Sequence, residues 1–142
     1  VSYAMKQTCV DDCKIIKLSK HHRRQGNLTV VENGKDVPFD VKRVYYLYDV
    51  PGGATRGGHA HRELSQLIVS VSGCFSVTLD DGKGNREVYH LNHPYQGLYV
   101  GTGIWRTLED FSSGAVCLVL ASELFDESEY IYDYDEFIQI TN

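Results

Sequence analysis

The chain has 142 residues, 42% of them hydrophobic and 23% charged, with three prolines and a formal net charge of -5. That length suits one domain able to bury roughly two thirds of its unfolded surface. The composition excludes a disordered chain, no apolar run approaches the ~20 residues of a membrane-spanning helix, and the acidic balance argues against a general grip on nucleic acid. The charge is uneven, however: residues 123–142 carry seven acids and no Lys or Arg, leaving residues 1–122 with 14 bases against 12 acids. An anionic small substrate stays compatible with the body of the chain.

The only methionine is Met5, so residues 1–4 read as an expression scar or processed remnant and the domain as residues 5–142. Four cysteines without a preceding signal peptide read as free thiols in a reducing cytoplasm. Cys9 and Cys13, spaced CxxxC, lack further ligands at zinc spacing, whereas Cys74 and Cys117 lie in apolar runs and are expected to be buried.

Short runs rich in Val, Ile, Leu, Tyr and Phe then follow one another between turn residues, and each predicts a strand. In order they are Lys14–Leu18, Leu28–Glu32, Val41–Tyr48, Leu67–Ser72, Cys74–Leu79, Arg86–Leu91, Gly97–Val100, Trp105–Leu108 and Ala115–Ala121. Residues 80–85, Asp-Asp-Gly-Lys-Gly-Asn, predict a hairpin loop, and Pro51-Gly52-Gly53 and Asn92-His93-Pro94 break the chain similarly. Helical character appears only at Asp133–Ile140, whose early acids suit a helix N-terminus. Nine strands and almost no helix indicate an all-β sandwich or barrel.

The stretch from Gly53 to Gly73 carries the chemistry. Residues two apart on a strand face the same side, so His59 and His61 project into one space. Alone, such a pair reads equally well as solvent-facing imidazoles on an edge strand. The spacing Gly-x5-His-x-His-x4-Gln-x6-Gly, however, resembles the first cupin motif, with Gln66 in place of its usual Glu. Gly101-x-Gly103-x2-Arg106-x3-Asp110 resembles the second, with Arg106 in place of its ligand His. The resemblance implies a cupin-type double-stranded β-helix, or jelly roll, with a short C-terminal helix.

A guanidinium is always protonated and cannot ligate a metal, and its charge opposes a divalent cation beside it. With two of four ligand positions replaced, no metal and no cofactor are expected. Imidazoles able to move protons near neutral pH remain, beside a cation able to stabilise developing oxyanion charge.

Longer strings are more specific. Residues 37–51 (VPFDVKRVYYLYDVP), 56–61 (RGGHAH), 97–101 (GLYVG), 119–131 (VLASELFDESEYI) and 133–137 (DYDEF) resemble the bacterial dTDP-4-oxo-6-deoxyglucose 3,4-ketoisomerases, from about Lys14 onward. The resemblance implies a metal-independent, homodimeric cupin acting on a dTDP-linked 4-keto-6-deoxyhexose on the route to 3-amino sugars, with no nucleic-acid or membrane partner. It implies His59 as principal acid/base, with His61 assisting or orienting it. Tyr45 and Arg43 alternate on one strand face; Tyr45 is expected to bond the hexose or relay a proton. Arg43 and Arg56 are candidates for the diphosphate, whose oxygens suit forked guanidinium donors. Gln66 is expected as a neutral partner in the lost ligand position, and Arg106 and Gln25 as groups holding a water opposite His59 that favours a gluco-configured product.

His21, His22, His90 and His93 read as solvated, Trp105 as core or interface, and Asp110 as structural. Two other functions fit the same scaffold: a dTDP-sugar 3,5-epimerase, which also deprotonates beside a C4 ketone, and a non-catalytic cupin that binds sugar nucleotides. A metal-dependent cupin oxygenase is a third.

Overall fold

The computed structural model describes residues 5–142; the expected scar at residues 1–4 lies outside the described residues. Its elements in chain order are β1 (Lys14–Lys17), β2 (Ser19–Arg23), β3 (Gly26–Val30), β4 (Arg43–Leu47), β5 (Arg56–His61) and β6 (Gln66–Ser72). They continue as β7 (Phe75–Asp80), β8 (Arg86–Leu91), β9 (Gln96–Val100), β10 (Trp105–Glu109), β11 (Val116–Ala121), β12 (Tyr130–Ile131) and α1 (Tyr134–Thr141). Two five-stranded sheets run β1-β9-β6-β11-β4 and β12-β5-β10-β7-β8, and β2 pairs with β3 in a separate hairpin. The architecture is the expected all-β jelly roll with one short C-terminal helix.

Alternation along the strands builds the core between the sheets. Phe75, Val77 and Leu79 of β7, Leu108 of β10, Ile68 of β6 and Val119 of β11 point inward and are all but fully buried. Burying each such side chain contributes roughly 1.5–3 kcal/mol, well above any strand propensity. A second cluster, including Leu18, Val37, Leu67, Val69 and Leu120, covers the outer face of the first sheet.

The chain end closes the far side. The Asp133 side chain accepts hydrogen bonds from the backbone N–H groups of Asp135 and Glu136, which caps α1, and Phe137 is fully buried. The helix docks on the β7–β8 hairpin loop. A Cβ on Gly82, whose φ is +76°, would lie 2.4 Å from the Thr141 hydroxyl oxygen and 2.9 Å from the Phe137 ring. Gly82 is required both by its left-handed backbone and by this close approach.

Four expectations are corrected. Cys74 is exposed, because it precedes the inward Phe75 and alternation turns it outward. Cys13 and Cys117 are buried, and burial pushes their thiols up to about 11 and about 12. The polar Ser19–Arg23 run, absent from the nine expected strands, is a strand whose every residue is exposed, since it pairs only with β3. The third strand starts at Gly26, two residues before its apolar run. His21, His22 and His90 are exposed as expected, but His93 is half-buried and stacks on Tyr95 with centroids 4.9 Å apart.

Candidate active site

A cleft of about 570 Å³ opens between the sheets at the end where β4, β5 and β10 converge, closed on one side by the segment around β12. Pairing registers place its residues. Arg106 on β10 sits opposite His59 on β5, while Arg43 on β4 lies level with Ala121 of β11, which pairs in turn with Gln66 of β6. Because inward positions recur every two residues, Arg43 and Tyr45 face His59 and His61 across the space between the sheets.

Arg106 is the hub. It is 2% exposed, and its Nη2 donates to the Tyr45 hydroxyl at 3.0 Å and to His59 Nε2 at 3.1 Å. Since a guanidinium only donates, Nε2 of His59 must accept, which leaves the proton of the neutral imidazole on Nδ1. Tyr45 also accepts from Gln66 Nε2 at 2.8 Å. With two donors on its oxygen, the phenol proton of Tyr45 is free to point elsewhere. Among the described residues no carboxylate pairs with Arg106, and its Nε and Nη1 are buried without partners, as are His61 Nε2 and Gln66 Oε1.

The electrostatics follow from that geometry. Burial, then Arg106, then Arg43, lower the pKa of His59 to about 3. Burial, then Arg106, His59 and Arg43, hold His61 well below the ordinary imidazole value. Burial raises the Tyr45 phenol, opposed by Arg106, Gln66 and Arg43. Both imidazoles are therefore neutral near neutral pH and the phenol is protonated.

Arg43, Tyr45, Arg56, His59 and Arg106 line the cleft as expected, whereas His61 and Gln66 lie behind its wall. Gln25 does not line it: it is exposed in the tight turn of the β2–β3 hairpin, which diverts it from the site of its own chain. Thr55, Phe125, Tyr130 and Tyr132 also line it, beside Leu47, Gly57 and Gly58, and were not expected. Tyr130 and Tyr132 alternate in sequence like strand residues, but two residues inside an acidic stretch are too short a strand to detect. Trp105 packs away from the cleft against Tyr134 and Phe137 of α1, and Asp110 turns the chain after β10 with φ +58°.

Among the described residues no three His, Cys, Asp or Glu side chains are grouped to hold a metal ion. The donor set itself disfavours one, because the guanidinium of Arg106 touches the imidazole that a cation would need.

Residues 11–142 match the FdtA family, described as WxcM-like, C-terminal. The chain belongs to the FdtA family. It is 44% identical over 124 residues to the TDP-4-oxo-6-deoxy-alpha-D-glucose-3,4-oxoisomerase of Aneurinibacillus thermoaerophilus, covering 87% of this chain and 88% of that one. Its fold superposes on a variant of the Thermoanaerobacterium thermosaccharolyticum 3,4-ketoisomerase QdtA in complex with TDP-4-keto-6-deoxyglucose. The TM-score is 0.89 and the identity 38%, over 92% of this chain and 94% of that one. The TDP-quinovose 3,4-ketoisomerase WlaRB of Campylobacter jejuni gives a TM-score of 0.86 and 45% identity, over 92% and 99%. The cleft described above is thus that of an FdtA-family cupin.

Proposed function

We propose that this FdtA-family protein is an isomerase that moves the carbonyl of dTDP-4-oxo-6-deoxy-D-glucose from C4 to C3. The observation that carries the reading is the buried guanidinium of Arg106, without a carboxylate partner among the described residues, touching both His59 and Tyr45. It is a ready counter-charge for an oxyanion formed between a base and an acid.

In the proposed reaction His59 takes the C3 proton, the electron pair forms the C3–C4 double bond, and negative charge gathers on O4 beside Arg106. The O3 proton passes to O4 as C3 becomes the carbonyl. C4 is protonated by an acid of the site, with Tyr45 the candidate, and the proton held by His59 returns to that acid. The buried His61 orients His59 from behind the wall. C3 is oxidised and C4 reduced by the same pair, so no external electron carrier is needed. Arg43 and Arg56 meet the diphosphate. Its negative charge offsets theirs and lifts the imidazoles from their low resting values towards a useful basicity.

A C4 proton from the face opposite His59 yields the gluco product. The 45% identity to a TDP-quinovose enzyme, quinovose being 6-deoxyglucose, supports this outcome. Proton NMR reads it directly: axial H4 couples strongly to axial H5 in the gluco product, and equatorial H4 only weakly in the galacto product. A small coupling overturns the gluco assignment.

Since Gln66 and Arg106 replace ligands, chelation is expected to leave turnover unchanged. Loss of activity with EDTA, restored by one divalent ion, contradicts this.

The same reading includes a homodimer. Val44 and Tyr46 on edge strand β4 and Tyr48 just after it are 52–62% exposed, and the β2–β3 hairpin stands clear of its own core. A second copy would cover this edge. Sedimentation equilibrium at micromolar concentration is expected to give a mass near 32 kDa, twice the 16.0 kDa of one chain; a 16 kDa species contradicts the pairing. No helix among the described residues is long and apolar enough to cross a membrane. The free cysteines suit a reducing compartment, and the cytoplasm is the location we propose.

A further inference from the structure

Tyr130 touches both imidazoles and Arg43. It lies on β12, opposite His61 on β5. Its ring centroid is 4.6 Å from that of His61 at 75° and 5.1 Å from that of His59 at 53°. Tyr132 stacks on it at 5.5 Å and 14°, and Phe125 closes the outer side at 5.6 Å. Its hydroxyl accepts a hydrogen bond from Arg43 Nη2 at 2.8 Å, and among the described residues this is the one hydrogen bond of the Arg43 side chain.

The placement is built into the fold. The buried carboxylate of Glu129 accepts from the backbone N–H groups of Glu63 and Leu64, both at 2.8 Å, and the Glu129 carbonyl accepts from Arg62 N at 2.9 Å. The residue before Tyr130 is thus bolted to the turn after the histidine strand. Its own ring has little freedom to leave the imidazoles.

We propose that Tyr130 is a positioning residue for the isomerisation: its ring fixes and dries the His59–His61 pair, and its hydroxyl aims Arg43 at the diphosphate. The inference rests on the ketoisomerase reading of this cleft. A ring packed against two imidazoles excludes water and so favours their neutral, proton-accepting form. The groups facing that pair are Arg106 from β10, Arg43 and Tyr45 from β4, Gln66 from β6, and Tyr130 with Tyr132 from the β12 segment. No carboxylate lines the cleft among the described residues to hold a protonated imidazole, so the two arginines and dryness set the protonation state.

The two functions separate by substitution. Tyr130→Phe keeps the ring and removes the acceptor for Arg43. KM is expected to rise about tenfold, with kcat within about threefold of wild type and an unchanged pH profile. Tyr130→Leu removes the ring and admits water. Here kcat is expected to fall about 10- to 100-fold, and the acidic limb of the kcat profile to move up by about one pH unit or more, towards the free imidazole value.

Imidazole titration followed by NMR in the substrate-free protein reads the ring function without turnover. The resonances of His59 and His61 in Tyr130→Leu are expected to titrate at higher pH than in wild type. Wild-type KM in Tyr130→Phe overturns the aiming of Arg43. A slower Tyr130→Leu enzyme whose imidazoles titrate as in wild type reveals a merely structural residue and overturns the rest. Should Tyr130→Leu fail to fold, Tyr130→Phe and wild-type titration still decide: a wild-type His59 titrating near pH 6.5 denies the dry pair. Wild-type protein that leaves the carbonyl at C4 refutes the ketoisomerase reading instead, and the titration stands apart from that result.

Discussion

His59→Asn is expected to lower kcat by about 10²- to 10⁴-fold, the usual contribution of a general base, without unfolding the protein. The fold survives because the His59 side chain anchors no backbone: among the described residues its one hydrogen bond is to Arg106, and Asn keeps a polar acceptor there. A pH signature accompanies the loss. The imidazole titrates at about 3 in the folded chain against about 6.5 unfolded, so between those values the unfolded chain binds more protons. Wild-type stability therefore falls as pH drops through this window, and His61, also lowered, adds to the slope. In His59→Asn the slope is shallower, so thermal melts from pH 7 to pH 4 should lose fewer degrees than in wild type. Near wild-type kcat in the variant reassigns the base, with His61 next.

Arg106→Met is expected to separate stability from activity. Arg106 is buried, hydrogen-bonded to two neutral groups, and has no carboxylate partner among the described residues. A desolvated charge without a counter-ion destabilises the fold, and an apolar side chain of similar length removes that cost. Each kcal/mol gained raises Tm by about 3 °C in a domain of this size, and a rise of a few degrees is expected. Activity moves the other way. Loss of the donor to the developing oxyanion is expected to lower kcat by about 10²- to 10³-fold, the trade between stability and function that strained active sites show. Calorimetry and steady-state kinetics on one preparation check both: a lower Tm makes Arg106 structural, and an unchanged kcat removes it from the oxyanion.

Much of this site was legible in the chain because cupin chemistry is local. His59 and His61 are two residues apart on β5, and so are Arg43 and Tyr45 on β4, so strand alternation alone puts each pair on one face. The substitution of ligands by Gln66 and Arg106 was equally visible, as was the helix cap at Asp133. What stayed hidden depends on tertiary contacts. Tyr130 joins the imidazoles only because Glu129 ties the C-terminal segment to the turn after β5, a link across more than 60 residues. Cys74 shares its apolar run with Phe75, and only the register of β7 turns one outward and the other inward. The hairpin strand Ser19–Arg23 has no apolar face to announce it, since it packs on no core of its own chain. That same lack of packing removes Gln25 from the cleft on which sequence had placed it.

Incubation with dTDP-4-oxo-6-deoxy-D-glucose in deuterium oxide, followed by carbon and proton NMR, tests the central claim most directly. The account predicts a product with its carbonyl at C3, the new hydrogen at C4 and H5 unexchanged, because proton removal is confined to C3 and return to C4. A carbonyl still at C4 with deuterium at both C3 and C5 would identify an epimerase instead, and substrate recovered unchanged and unexchanged would leave a binding protein.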